Sequence, residues 1–208
     1  MNLIEALNWR YAVREFSEKK LPVSIINELI ECTRLSASSY GLQPYRLITI
    51  ESEETKRALL PHAMGQTKVH ECSHLFVLAR LNDIDGRFID SHFTRVEKER
   101  GLSPGSLSGF KDHVRETLLW MTVSELEQWA ECQIHIALGN LLTAAAIKQV
   151  DACPMAGFDK KGFDEVLKLN ENGLSSSVIC ALGERSNSDA SRNDKKVRLP
   201  ISDFSMSI

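Results

Sequence analysis

What this sequence lacks narrows its reading first. None of its five cysteines (Cys32, Cys72, Cys132, Cys153 and Cys180) belongs to a C-x-x-C pair, and their odd number and scatter argue against a disulfide framework. Reduced, mostly buried thiols are expected instead. Neither G-x-G-x-x-G nor G-x-x-x-x-G-K-[ST] occurs, so a Rossmann dinucleotide site or a P-loop is not indicated. One-sided charge is missing too: the formal net charge of -3 is too small to imply a nucleic-acid or membrane partner. No unbroken apolar run reaches the roughly 18 residues of a membrane span. The first ten residues lack the basic flank and apolar stretch of a signal peptide, which sets the expectation of a cytoplasmic protein.

What is present reads as helices interleaved with strands, an α/β or α+β sandwich. With 208 residues the chain can bury one sizeable core, and a single domain over 1–208 is expected. Helices are predicted over 2–9, 22–35, 52–61 and 160–167, and strands over 45–51 (YRLITIE), 75–81 (LFVLARL) and 176–182 (SSVICAL). Leu3, Ile4 and Leu7 share one face of the first helix. Residues 84–123 are charged, with Gly101, Pro104 and Gly105 at their centre, and read as two helices around a loop. The helix predicted over 124–149 is apolar nearly all round. Such a helix needs cover on every side, either as the centre of a large core or shared with a second subunit.

Several clusters can carry chemistry. Arg10 and Arg14 are four apart, so they share a side on a helical turn or on an extended chain. Their guanidinium forks match phosphate oxygens, and a solvated helix end is the plainer alternative. Ser38, Ser39 and Gly41 lie in a small-residue turn that admits close backbone approach to a ligand, or is merely a helix-to-strand loop. Gln66 and Lys68 put an amide and an ammonium in one turn. Lys195, Lys196 and Arg198 form a basic cluster near the end of the chain, which in a tail can be merely solubilising. His70-Glu71-Cys72-Ser73-His74 fits H-E-x-x-H, the zinc-hydrolase helix, but His74 runs directly into the predicted strand LFVLARL, which would stop the helix at its second ligand.

Taken in order, five stretches resemble the FMN-dependent nitroreductase family. RYAVREF is similar to its R-(R/H)-S-x-(R/K)-x-F opening, and SASSYGLQPYRLITI to its A-P-S-S-x-x-x-Q-P segment. GQTKVHECSHLFVLA, CPMAGFD and KKVRLPISDF resemble its later segments, the last two P-(I/M)-x-G-F-(D/E) and K-x-R-x-P. The resemblance runs from about residue 2 to residue 204. It implies an α+β fold: an α/β/α sandwich with a mostly antiparallel sheet in an intertwined homodimer, with residues 84–123 as a helical excursion near the substrate site. It implies bound FMN, NADH or NADPH as reductant, and ping-pong hydride transfer to a small, flat acceptor such as a nitroaromatic, a quinone or a flavin. No catalytic acid or base and no metal is implied.

Residue by residue, the resemblance makes Arg10, Arg14, Lys196 and Arg198 the groups around the FMN phosphate and the polar ring edge, with Tyr11 and Ala12 beside them. Lys68 becomes the cation at the pyrimidine side, and Gln66 a hydrogen-bonding group for ring or ribityl chain. Ser38, Ser39 and Gly41 become a loop lent by the second subunit. Pro154, Met155, Ala156 and Gly157 lie against the ring, and Phe110 and Trp120 line the acceptor site or pack a helix core. Ala12, Gly41 and Ala156 depart from residues common in relatives (serine, asparagine and glutamate). A zinc hydrolase using His70 and His74, and a non-catalytic FMN carrier, stand as the alternative functions.

Overall fold

Four strands organise the chain: β1 (Tyr45–Ile50), β2 (His74–Leu81), β3 (Asp151–Met155) and β4 (Leu174–Gly183). They lie in the order β1-β2-β4-β3, every neighbouring pair antiparallel. The computed structural model describes residues 1–208. The central strands β2 and β4 are apolar on both faces because both faces are covered. Successive side chains alternate across a strand. Leu75, Val77, Ile179, Ala181, Cys153 and Met155 therefore enter one core, while Phe76, Leu78, Val178, Cys180 and Leu182 enter another. The result is an α+β sandwich of three layers.

One outer layer is formed by α1 (Leu3–Trp9), α2 (Val23–Arg34) and α7 (Val123–Ile147), with α1 and α2 packed on α7 and α7 on the sheet. The other holds α3 (Glu53–Leu59), the single turn α4 (Lys68–Glu71) and α8 (Lys160–Val166). Helices α5 (Gly86–Glu99) and α6 (Ser108–Leu119) pair with each other around Leu42, Ile89, Phe93, Val114 and Leu118, away from the two main cores. Chemistry at the helix ends explains most boundaries. Asn2 with Glu5, and Thr122 with Glu125, make capping boxes, Ser52 and Asp85 cap α3 and α5, and Pro22 stands immediately before α2. A last turn, α9 (Ile201–Phe204), lies in an exposed tail.

Three expectations are adjusted. The face of α1 carrying Leu3, Ile4 and Leu7 is exposed in the single chain, and only Ala6 is buried. Helix α7 packs through Ala130, Ile134, Ala137, Leu141 and Ala145, leaving Ile136 and Ile147 each 49% exposed. By length and composition it also meets the criteria of a membrane span, although Glu125, Glu127 and Glu131 interrupt it and its buried side covers the sheet. Strand β3, which holds Pro154, was not anticipated as a strand. It is an edge strand, where a missing backbone donor is tolerated.

Candidate functional site

The segment after α1 is held extended. Ala12 makes a parallel bridge with Ala152 of β3, and Phe16 an antiparallel bridge with Arg185 beyond β4. Val13 and Phe16 sink into the core. Arg10, Ala12 and Arg14 border an open cleft, with Val13 between the last two turned inward. Two buried carboxylates fix this arrangement. Asp151 receives the Arg185 backbone N–H at 2.7 Å and its Nε at 2.8 Å. Asp189 accepts the backbone N–H of Arg14 at 2.8 Å, of Glu15 at 3.3 Å and of Ser191 at 2.9 Å. Asp189 thus ties the N-terminal segment to the tail. Burial pushes its pKa up, but those backbone donors outweigh it and hold the carboxyl below its usual value. Arg185 also lies over the rings of Trp9 and Tyr11, 4.2 and 4.6 Å from their centroids.

The cleft measures about 700 Å³, within the usual range for small-molecule sites. Four parts of the chain line it: residues from Asn8 to Arg14, Gln66 with Lys68, residues from Cys153 to Gly157, and tail residues from Ser191 to Arg198. Seven cations face it (Arg10, Arg14, Lys68, Arg192, Lys195, Lys196 and Arg198) against one carboxylate, Asp194. None of the seven makes a salt bridge, whereas twelve other lysines and arginines of the chain do. A larger cavity of about 810 Å³ between α7, α8 and the sheet makes the contrast plain. There Arg80 is paired with Glu127 at 2.5 Å and Lys160 with Glu131 at 3.2 Å.

Inside the cleft, Lys196 donates to the backbone carbonyls of Leu7 and Arg10, which docks the tail on the end of α1. Burial, then the charges of Arg10 and Arg198, lower its pKa. The Arg10 Nε and the Tyr11 hydroxyl are buried with no hydrogen-bond partner. Burial is the largest cause raising the Tyr11 pKa to about 12, with Arg185 opposing. Burial raises the Cys153 thiol as well, while Lys68, Arg10 and Arg14 pull it down. Lys68 opens α4. Gln66 donates to Ala63 O at 3.1 Å and to Gly157 O at 2.7 Å, so its amide joins two walls of the cleft. His62 reinforces the same junction, its Nδ1 lying 2.9 Å from Asp159 Oδ2 and its carbonyl accepting the Asp159 N–H at 2.9 Å.

The structure therefore brings together Arg10, Tyr11, Ala12, Arg14, Gln66, Lys68, Pro154, Met155, Gly157, Lys196 and Arg198. Ala156 is exposed beside them without lining the cleft. Ser38, Ser39 and Gly41 lie elsewhere, in a turn between α2 and β1 whose backbone is held by Gln133 Oε1 on the Ser39 N–H at 2.8 Å. Tyr40 and Gln43 in this turn have φ of 56° and 48°, and Gly41 has 70°, a left-handed run that costs free energy outside glycine. Phe110 meets Tyr40 and Phe93 edge-to-face, and Trp120 is 89% exposed. Neither borders the cleft of its own chain. Asn8, Trp9, Arg192 and Asp194 also line the cleft and carry no motif of their own in the sequence. Their only signals there were adjacency to the RYAVREF stretch and to KKVRLP.

The H-E-x-x-H match is divided between two elements. Helix α4 ends at Glu71, and His74 opens β2. His74 is buried with its Nδ1 2.9 Å from Ser73 Oγ, and His70 receives a hydrogen bond from Arg57 at 3.2 Å. The two rings do not share a helical face, which the zinc-hydrolase reading requires. A second pattern, Gly101-Leu102-Ser103-Pro104-Gly105, has the G-x-S-x-G spacing of a serine nucleophile elbow, but it lies in the turn between α5 and α6 rather than between a strand and a helix.

Known proteins give the context for this cleft. The model of the Nitroreductase family matches residues 7–184. A Staphylococcus haemolyticus protein provisionally named an NAD(P)H nitroreductase is 33% identical over 97% of this chain and 94% of its own length. YfkO of Bacillus subtilis, named in the same provisional way, is 34% identical over 88% of each chain. Among solved structures, the B. subtilis protein ydfN superposes with a TM-score of 0.87 at 18% identity, covering 99% of this chain and 98% of that one. A nitroreductase-type protein of Exiguobacterium sibiricum, solved in complex with FMN, gives a TM-score of 0.83 at 21% identity over 100% and 98% of the two chains.

Proposed function

Because this chain belongs to the nitroreductase family, we propose that it is an FMN-dependent NAD(P)H oxidoreductase that works by ping-pong hydride transfer to a flat, electron-poor acceptor: a nitroaromatic, a quinone or a free flavin. The observation that carries the reading is the set of cleft cations without carboxylate partners. Charge of one sign gathered in a half-buried cleft is costly unless an anionic ligand compensates it. The residues fit a flavin mononucleotide. The buried Arg10 Nε is a donor with no protein partner, and Arg14, Lys196 and Arg198 line the same cleft and would hold the phosphate. Lys68, on a separate segment lining the cleft, suits the pyrimidine edge of the ring. Pro154, Met155 and Gly157 offer a flat backbone wall, with Ala156 beside it and Tyr11 and Ala12 facing it.

FMN, when bound, supplies the hydride chemistry, and the protein supplies binding, orientation and charge. Gln66 keeps the wall from 63 to 68 joined to Gly157, so Lys68 and the strand β3 hold a fixed spacing. No side chain is assigned as general acid or base.

The reading extends to a homodimer. Leu3 and Ile4 of α1 and Ile136 and Ile147 of α7, on two helices that pack together, leave apolar side chains exposed, as do Ile201, Phe204 and Met206 of the tail. A second copy would cover them. In that assembly Ser38, Ser39 and Gly41 serve the partner's cofactor, and Phe110 and Trp120 approach the acceptor. The E. sibiricum protein's complex with FMN is consistent with the cofactor assignment.

The experiment is direct. The purified protein, supplied with FMN and gel-filtered, is expected to keep a flavin spectrum at one FMN per chain and to run as a dimer. Mixed with NADH or NADPH in a stopped-flow instrument, it should bleach and then recolour on addition of a quinone. A colourless protein overturns the cofactor assignment. A yellow protein that neither reductant bleaches is a flavin carrier and overturns the enzymatic one.

A further inference from the structure

Two cations of the cleft are given no contact with FMN in the assignment above. Arg192 and Lys195 come from the turn and tail that follow Asp189, and both are exposed at the cleft mouth. Their setting is built rather than loose. Asp189 is buried and caps the turn through the Ser191 N–H at 2.9 Å, and the Arg192 guanidinium is steadied by Asn187 Oδ1 at 2.6 Å. Lys195 has no hydrogen-bond or ion-pair partner, and its neighbour Asp194 makes no ion pair with either residue.

The charge count sets the question. A phosphate monoester carries at most about two negative charges near neutral pH. Arg10, Arg14, Lys196 and Arg198 already exceed that number. A chain whose total is -3 nonetheless adds two further positive charges at the same opening. Unmatched like charges repel, so their concentration at one mouth fits a second anionic group arriving there. An arginine fork with an adjacent ammonium suits a terminal phosphate dianion. It suits a pyrophosphate diester less well, because there each phosphorus bears a single charge. NADH and NADPH share the pyrophosphate, and only NADPH has a terminal phosphate, at the 2′ position.

We propose that Arg192 and Lys195 form a 2′-phosphate subsite that selects NADPH over NADH. This rests on the reading of the cleft as an FMN and nicotinamide site. The test uses FMN-loaded protein and two calorimetric titrations, one with adenosine 2′,5′-bisphosphate and one with 5′-AMP. The wild type should bind the bisphosphate about tenfold or more tighter, the scale of exposed charge-assisted contacts. In the R192Q/K195Q double variant that difference should vanish. The same change should lower kcat/KM for NADPH about tenfold and leave the value for NADH and the FMN content unchanged. Equal binding of the two nucleotides by the wild type, or an undiminished NADPH preference in the double variant, overturns the proposal. A protein that takes up no FMN overturns both readings, whereas a yellow protein indifferent to the 2′-phosphate overturns this one alone.

Discussion

Replacing Asp189 by alanine should loosen both walls of the cleft at once. Its carboxylate is buried and takes three backbone N–H groups, with Oδ2 receiving Arg14 and Glu15 and Oδ1 receiving Ser191. Hydrogen bonds to a charged acceptor contribute about 1.5–3 kcal/mol each, and bonds sharing one group do not add. A loss of about 3 kcal/mol is therefore expected for Asp189→Ala, which for a chain of this size lowers Tm by roughly 6–12 °C. Asp189→Asn keeps one carbonyl oxygen, enough for Arg14 and Glu15, but turns an NH₂ toward the Ser191 N–H. It should cost about half as much. Urea denaturation followed by circular dichroism gives the stability, and flavin fluorescence quenching gives the FMN affinity, which should fall in the same order. The linkage has a definite sign. The folded-state pKa of Asp189 lies below the unfolded value, so its contribution is complete above the ordinary carboxylate range of about 4. It disappears as pH falls further, through the depressed value. The gap between wild type and Asp189→Asn should therefore close in acid. An alanine variant as stable as the wild type at pH 7, binding FMN equally well, would refute the role given to this carboxylate.

Other changes report on neighbouring parts of the account. Gln66→Ala breaks the link to Gly157 and should weaken FMN about tenfold with a change in Tm of only a few degrees, read by fluorescence titration and thermal melts. Lys56→Met removes a wholly buried ammonium that donates to Glu53 and to Cys72 O. It should destabilise the protein at pH 7, by less as pH drops, because Lys20 first and then Lys56 hold the half-exposed Glu53 at a pKa of about 2 and that contribution fades from about 4.5 downward. Burial lowers the pKa of His74, so the folded state resists its protonation and stability falls as pH drops below about 6.5. His74→Asn should flatten that limb of the pH–stability curve, and chelator should change neither curve nor activity.

Much of the framework was readable because its signals are local. The helices expected over 22–35 and 52–61 and the strand LFVLARL lie within a residue or two of α2, α3 and β2, since the proline before α2, the Ser52 cap of α3 and uninterrupted apolar runs are properties of short stretches. Strand β3 was hidden by Pro154, which a central strand would reject and this edge position accepts. The extended geometry of Arg10 to Arg14 is not legible in their spacing, which suits a helical turn as well as an extended chain. It is decided by distant partners, the bridges to Ala152 and Arg185 and the carboxylate of Asp189. For the same reason Arg192 carries no signal in the sequence and Lys195 reads only as part of a basic tail cluster, since the docking of Lys196 on α1 holds this segment at the cleft. Phe110, Trp120 and the loop carrying Ser38 and Gly41 stand outside the cleft of a single chain, and their assigned roles depend wholly on a second copy.

A crystal of the protein grown with FMN tests the central claim most directly. The account predicts flavin density in the cleft between the Arg10–Arg14 segment, Lys68 and the tail, with the phosphate within hydrogen-bond reach of Arg10, Arg14, Lys196 and Arg198. Density for FMN at another site, or those four side chains directed to solvent with the flavin bound, would contradict it.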